Sequence, residues 1–345
     1  MIFLILGGIL LAAVIAGVLY QRRGTRADAL RYPPPGRLVE VQGRRYHVQE
    51  MGSGEPLVVL ESGIASSSIS WHFVREGVSA FSKVLSYDRA GYGWSDARLE
   101  PRTAEQLTAE LMDLLNAAGH SGPCVLVGHS FGGILVRLFA QRYPHVVAGL
   151  VLVDPLDPEE FLTMDARKRR MLAGGVALSR WGALLARLGV VRFALARMMA
   201  GSRWLPRSIG LAASGGPGMS VIERILGQLQ KLPEATWTPI RAHWCQPKSF
   251  VTMAGHLRQL PESVGAIDDG APVAAPLITL SAGDASPHRL ARQDALAAQS
   301  PAGAHRLAKR STHWIQLDEP ELIVEAVREV IAIHRRRPSA GGGTV

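Results

Sequence analysis

From Cys124 to Gly132 the chain reads Cys-Val-Leu-Val-Gly-His-Ser-Phe-Gly, and this stretch limits the possible folds more than any other. Cys124–Val127 is a short apolar run of the kind that forms a strand buried on both faces. Gly128-His129-Ser130-Phe131-Gly132 fits G-x-S-x-G, and the residues from Ser130 to about Tyr143 carry a helical pattern. A strand that turns sharply into a helix over a serine presents that serine at the edge of a sheet. The flanking glycines let neighbouring chain pass without a Cβ in the way. The helix start aims amide N–H groups at the same point, which favours developing negative charge.

The rest of the chain supplies such a sheet. Arg37–Gln42 and Arg44–Glu50 alternate around Gly43 as two paired strands. Pro56–Glu61, Lys83–Tyr87, Gly149–Val153, Pro276–Ser281 and His305–Ala308 are further strand candidates, and Thr103–Ala118 and Pro320–Arg335 have helical spacing. Strands that alternate with helices imply a mostly parallel sheet covered on both faces, an α/β fold. The stretch 155–270 breaks the rhythm with Leu, Ala, Met and Arg in short helical patterns, and is expected to be a helical lid between two core segments, 37–154 and 271–337. The glycine-rich tail 338–345 is expected to be disordered.

The N-terminus carries a second strong signal. Ile2–Tyr20 is uncharged and almost wholly apolar, close to the ~20 residues that cross a bilayer as a helix. A cleaved signal peptide is the rival reading. No Lys or Arg precedes the apolar run, the run exceeds a usual signal core, and no small-x-small cleavage site follows. Residues 1–20 are therefore expected to be an N-terminal transmembrane helix and a single-pass anchor. Arg22, Arg23 and Arg26 directly follow, which places the body on the cytoplasmic side by the charge rule. Residues 21–36, with Pro33, Pro34 and Pro35 together, read as a stiff linker.

Composition removes several other functions. The 38 Lys and Arg outnumber 29 Asp and Glu, yet no basic run is interleaved with aromatics, so no nucleic-acid partner is expected. Cys124 and Cys245 lie far apart, and Cys124 reads as a small buried hydrophobe rather than a nucleophile. No Cys or His spacing suggests a zinc site, and neither a P-loop nor a dinucleotide fingerprint occurs, so no metal or cofactor is expected.

Ser130 needs a base, and His313 lies in Ser311-Thr312-His313-Trp314-Ile315, between the last strand candidate and the closing helix. A neutral imidazole there can take the serine proton and return it to a leaving group. His129 reads as a packed neighbour; His72, His243 and His256 are poorly placed in the chain. The acid that orients His313 has two candidates, Asp154 after Gly149–Val153 and Asp284 after Pro276–Ser281. Asp154 is preferred because it abuts its strand, and Asp157 is a remote third. Two amides would hold an oxyanion: that of Phe131, next to the nucleophile, and that of Ile64, after the Glu61-Ser62-Gly63 turn. The Asp88–Asp96 segment, with two glycines and an adjacent acid and base, reads as an internally bonded loop that supports the site.

Taken together, the Glu61-Ser62-Gly63 turn, the Asp88-Arg89-Ala90-Gly91-Tyr92-Gly93 loop, the Ser130 elbow, Leu150-Val151-Leu152-Val153-Asp154 and the His313 loop resemble the α/β-hydrolase superfamily, over about Arg37 to Arg335. The resemblance implies an eight-stranded, mostly parallel sheet and a serine triad that needs no cofactor. Relatives often carry His-Gly where this chain has Ser62-Gly63. They also commonly place the acid where this chain has Ser286, a further reason to prefer Asp154. Ser rather than Asp at 130 separates the chain from the haloalkane dehalogenase and epoxide hydrolase branches, which use a carboxylate nucleophile. The expected activity is cleavage of an ester-like small molecule through an acyl-enzyme. The alternatives are a non-catalytic binding protein on this fold, or another serine-triad chemistry such as perhydrolysis or C–C hydrolysis. Leu172, Leu178, Trp181, Leu184, Leu185, Val190, Met198 and Met199 in the lid suggest a hydrophobic or lipid-like substrate; Arg167–Arg170 read as a solvated charged face, with contact to lipid headgroups as the alternative.

Overall fold

The computed structural model describes residues 1–98, 102–199 and 227–336. Eight strands form one sheet: β1 (Arg37–Val41), β2 (Arg44–Met51), β3 (Leu57–Glu61), β4 (Val84–Tyr87), β5 (Cys124–His129), β6 (Val147–Val153), β7 (Leu277–Ala282) and β8 (Gly303–Ala308), ordered β1-β2-β4-β3-β5-β6-β7-β8. β2 is antiparallel to both of its neighbours, and all other pairings are parallel. The order reverses beside β3 and β5, so the ends of those strands open a crevice where loops from both halves of the sheet meet.

Twelve helices accompany the strands among the described residues: α1 (Ile2–Arg31), α2 (His72–Ser79), α3 (Ala104–Ala117), α4 (Phe131–Arg142), α5 (Glu159–Leu162), α6 (Ala166–Arg187), α7 (Val190–Met199), α8 (Glu234–Trp244), α9 (Pro247–Gly265), α10 (Pro287–Ala297), α11 (Ile315–Asp318) and α12 (Pro320–Arg336). Strand alternation divides the core between the two faces. Val59, Leu126 and Leu150 pack with Leu111 and Leu114 of α3 and Val136 and Phe139 of α4. Val58, Val125 and Val151 pack with Val74 and Val78 of α2 and Val327 and Val330 of α12. Burial on both faces explains why the central strands read as continuous apolar runs. Each fully buried Val or Leu contributes about 1.5–3 kcal/mol.

Between β6 and β7 the described chain is helical, as the loss of strand rhythm suggests. The insertion is nonetheless continuous with the core. Leu260 and Val264 of α9 pack on Leu107 of α3 and Leu135 and Leu138 of α4. The expected tail, 338–345, lies outside the described residues, as does the side chain of Met199.

The N-terminal segment departs from expectation. α1 runs unbroken from Ile2 to Arg31, so most of the expected 21–36 linker is helix and only a short connector precedes β1. Gly24 was read as part of the stiff linker, but it lies within the helix and faces the body, where a Cβ would lie 2.6 Å from Nε of Arg192. The helix stops where Pro33 denies Tyr32 the helical conformation. The most apolar window of α1 has a mean hydropathy of 2.9 with 0 % of it buried, so this helix is long and apolar enough to cross a membrane.

Candidate active site

Ser130 follows β5 directly and has φ +55° and ψ −119°, a backbone conformation that L-residues adopt only under tertiary constraint. The constraint is visible: the Ser130 N–H donates to the Val153 carbonyl at 3.0 Å, and its carbonyl accepts from Gly133 N–H at 2.9 Å. A Cβ on Gly128 would lie 2.5 Å from the Gly132 carbonyl oxygen, and one on Gly132 would lie 2.4 Å from that of Glu61. Both glycines of the motif are therefore required by close backbone approach. The turn leaves Ser130 8 % exposed at the crevice.

Asp154 sits at the end of β6, with φ +41° and its N–H on the Leu280 carbonyl at 2.7 Å. Its Oδ2 lies 2.6 Å from Nδ1 of His313, and its Oδ1 accepts from the Ala282 N–H at 3.3 Å. Burial pushes this carboxyl up, but the hydrogen bond from His313 and the charge of Arg289, 3.2 Å away, outweigh it and hold Asp154 below its ordinary value. An ionised carboxylate can only accept, so Nδ1 of His313 carries the proton of this contact. Asp284 is exposed on the turn after β7. Of the two acids open at the sequence level, the structure brings Asp154, not Asp284, to the imidazole. Asp157 instead pairs with Arg292 at 3.2 Å.

His129 holds the His313 loop. Its Nε2 donates to the His313 carbonyl at 2.8 Å, and the two rings lie 4.6 Å apart. Burial, with His313 adjacent, lowers His129 to about 3, so it stays neutral and keeps this donor in place. The Ser130 hydroxyl and Nε2 of His313 are not hydrogen-bonded to each other in this conformation; such contacts commonly tighten only around a bound substrate.

Beside Ser130 runs the Ser62–Gly63–Ile64 turn. A Cβ on Gly63 would stand 3.4 Å from that of Ser130, which brings the turn alongside the nucleophile candidate. Neither the Ile64 nor the Phe131 amide has a hydrogen-bond acceptor among the described residues. The turn is held from below by Arg89, whose guanidinium donates to the Ser62 and Gly63 carbonyls and pairs with buried Glu61. The 88–96 loop is internally bonded, as expected, and its bonds also reach beyond it to the neighbouring turn. Asp88 does cap its own loop, accepting from the Trp94 N–H at 3.1 Å, but it also binds buried His47 at 2.8 Å, and Arg89 reaches out to the Ser62–Gly63–Ile64 turn. Arg89 and Arg289 are the two site-supporting residues whose partners sequence reasoning missed; an arginine beside a motif carries no mark of the carbonyl or carboxylate it will meet.

His72 lies on α2, 3.3 Å from Glu76, and His243 and His256 are buried in the insertion, their rings packed on Trp94 and Phe131. Burial lowers His243 to about 4. Cys124 and Cys245 are free and buried, and burial pushes the Cys124 thiol up to about 12. Among the described residues no three His, Cys, Asp or Glu side chains converge as a metal site would require.

A cavity of about 390 Å³ adjoins the site, reaching it at Ile64 and at Trp314, next to His313. Its walls are largely apolar, with Trp244, Phe250 and Met253 from α8 and α9 and Val191 and Leu195 from α7. Six of the lid residues expected to supply that surface face elsewhere. Leu172 packs against the α3–α4 core, and Leu178, Trp181, Leu184, Leu185 and Val190 are exposed to solvent. Helical spacing revealed apolar faces in the lid but not which one turned inward.

A sheet of this topology, with a serine on a strained turn and a histidine–carboxylate pair beside it, defines a hydrolase scaffold. The model of the alpha/beta hydrolase family matches residues 57–326, and the chain belongs to that family. Among curated proteins it is 35% identical over 116 residues to an uncharacterized protein, YqjL, of Bacillus subtilis, covering 33% of this chain and 46% of that one. It is also 35% identical over 127 residues to epoxide hydrolase 4 of Mus musculus, covering 36% and 35%. The chain thus spans half or less of the length of the first curated relatives it matches. Solved structures share the fold over nearly the whole partner chain: the epoxide hydrolase CorEH (TM-score 0.64, 17% identity, 86% of this chain and 98% of that one) and a thermophilic esterase from Thermogutta terrifontis (0.59, 20%, 86% and 98%).

Proposed function

We propose that the protein is a serine hydrolase acting on an apolar ester-like substrate. The observation that carries this reading is the 2.6 Å contact between His313 and Asp154 at the same sheet end as the strained Ser130 turn. His313 Nε2 takes the Ser130 proton as Oγ attacks the ester carbonyl. The Ile64 and Phe131 amides receive the oxyanion, a contribution of about 3 kcal/mol for each donor. Collapse of the tetrahedral intermediate expels the alcohol, which takes the proton from His313. Water, deprotonated by the same imidazole, then cleaves the acyl-enzyme and returns the proton to Ser130. The apolar cavity favours a hydrophobic acyl or alcohol group.

Several relatives are named epoxide hydrolases, but the chain carries Ser at 130, where that branch attacks with a carboxylate. Attack by a serine favours acyl transfer over epoxide opening. The test is a fluorophosphonate probe. Wild-type protein is expected to be labelled at Ser130, and labelling is expected to vanish in Ser130→Ala and under competition from esters. A folded wild type that resists the probe would favour a binding protein on this scaffold.

α1 is further proposed as a single-pass anchor with the body on the cytoplasmic side. Its unburied apolar stretch and the exposed Arg22, Arg23 and Arg26 that follow support that reading. Retention in the membrane pellet after alkaline extraction, at full length by mass, is the expected result; a shortened soluble product would mark a cleaved signal.

A further inference from the structure

α1 is joined to the lid at a defined height. Its Gly17 meets the α6–α7 hairpin so closely that a Cβ there would lie 2.4 Å from the Leu188 carbonyl oxygen. One helical stretch further on, Arg192 of α7 donates to Gln21 Oε1 at 3.0 Å, Asp28 Oδ2 at 2.6 Å and Thr25 Oγ1 at 3.3 Å. Gln21 in turn donates to the Cys245 carbonyl at 3.0 Å. Gln21 is 4 % exposed and Arg192 8 %, so this is a shielded joint and not a surface contact.

The joint sets a depth. An apolar layer ~30 Å thick takes ~20 helical residues, which Ile2–Tyr20 fills, and Gln21 marks its end. Gly17 lies four residues to the apolar side of Gln21, about 6 Å at a rise of ~1.5 Å per residue. Leu188 and Gly189, packed on Gly17, therefore sit inside the plane at which α1 leaves the hydrocarbon. Around that tip Leu184 (41 %), Leu185 (39 %) and Val190 (47 %) are exposed, with Trp181 and Phe193 a turn back on each helix. These side chains neither fill the core nor line the cavity. Arg187, exposed beside them, has a stem long enough to return its charge to headgroup phosphates. Aromatic residues just behind an apolar tip suit the membrane–water boundary.

We propose that the tip of the α6–α7 hairpin is a second membrane contact, seated in the same leaflet that α1 leaves. It rests on the reading of α1 as a bilayer span and not on the chemistry at Ser130. The occupant is a phospholipid bilayer, because the exposed patch is continuous with the one face of the molecule already apolar over a membrane's thickness. Val191 and Leu195, which wall the cavity, belong to the same short helix as Val190 and Phe193. Membrane contact therefore brings the helix that carries this part of the cavity wall to the lipid.

The experiment uses the full chain with single cysteines at Leu185→Cys, Val190→Cys, Leu10→Cys or Glu40→Cys, each carrying an NBD label. The proteins are reconstituted in phosphatidylcholine–phosphatidylglycerol vesicles whose acyl chains bear nitroxides at shallow or deep positions. The native Cys124 and Cys245 are buried. The expected result is strong quenching at 185 and 190 by the shallow nitroxide, quenching at 10 by the deep one, and none at 40. If 10 is quenched while 185 and 190 behave like 40, the hairpin contact is overturned and the anchor stands. If 10 also behaves like 40, the anchor reading fails and the hairpin contact fails with it. A blue-shifted but unquenched label at 185 that depends on protein concentration would mean that a second copy covers the tip, which also overturns the proposal. A Val190→Asp substitution in the Leu185→Cys protein is expected to abolish quenching at 185 without lowering the melting temperature.

Discussion

The carboxyl end of the sheet and the α6–α7 hairpin carry their side chains on opposite terms. At the sheet end nearly every group has a partner within the chain: Asp154 meets His313, Arg289 and the Ala282 amide, and Arg89 meets Glu61 and two carbonyls. At the hairpin large apolar side chains such as Trp181 and Phe193 stand 62 % and 55 % exposed. The first region is determined by backbone geometry, because a strained turn and parallel strand ends leave each side chain one direction to point. The second is determined by helix phase alone, which leaves the choice of outside partner to the surroundings. Substitutions should therefore cost chemistry or stability at the sheet end and very little of either at the hairpin.

The contrast can be broken most sharply at Asp154. Asp154→Asn removes the acceptor that keeps the proton on Nδ1 of His313 and is expected to lower kcat for ester hydrolysis by about 10⁴-fold, while Asp284→Asn leaves it unchanged. Equal losses in steady-state assays of the two variants would put the orienting acid elsewhere. Arg89→Met leaves Glu61 buried without its partner and is expected to cost about 3–5 kcal/mol in denaturant unfolding, with any surviving activity reduced through the Ile64 turn. Packing draws the same line between the regions: Leu126→Ala in β5 is expected to cost about 2–5 kcal/mol, against a change within about 0.5 kcal/mol for Trp181→Ser measured in detergent. A hairpin substitution as costly as the core one would mean that the lid surface is structural.

The smallest expected effect lies at the far side of the sheet. Burial pushes the Glu50 carboxyl up, but hydrogen bonds from His120 and Arg37 bring it down to about 2 from an ordinary 4.5. A folded-state value below the unfolded one adds stability above pH 4.5, and this is lost as pH falls toward 2. The network is partly solvated, so the contribution is about 1 kcal/mol or less. Glu50→Gln should flatten the stability profile over that interval and lower stability at neutral pH by that same contribution, about 1 kcal/mol or less.

All eight strands were legible in the sequence: central runs such as Leu57–Glu61 because they are buried on both faces, and the first two because they alternate around Gly43. Ser130 was legible for a related reason: both flanking glycines answer to backbone approach, and only a small set of turns demands that. Pattern favoured Asp154 over Asp284 only by its place directly against a strand, since each acid follows one. The choice depends on the Asp154 backbone, pinned to Leu280, turning the carboxylate toward the β8 end. The length of α1 was hidden because Gly24 resembles a breaker until the arginine that packs against it is known. The cavity-lining residues were hidden because α6 and α7 are apolar on more than one face, and only packing selects between them.

The most direct test of the account is a rapid-mix experiment with a chromogenic ester, quenched in acid and read by mass on intact protein and peptides. A burst of alcohol stoichiometric with enzyme, with the acyl group on the peptide containing Ser130 and absent in Ser130→Ala, is the predicted result. Turnover with no burst and no adduct at Ser130, or an adduct on a carboxylate instead, would contradict it.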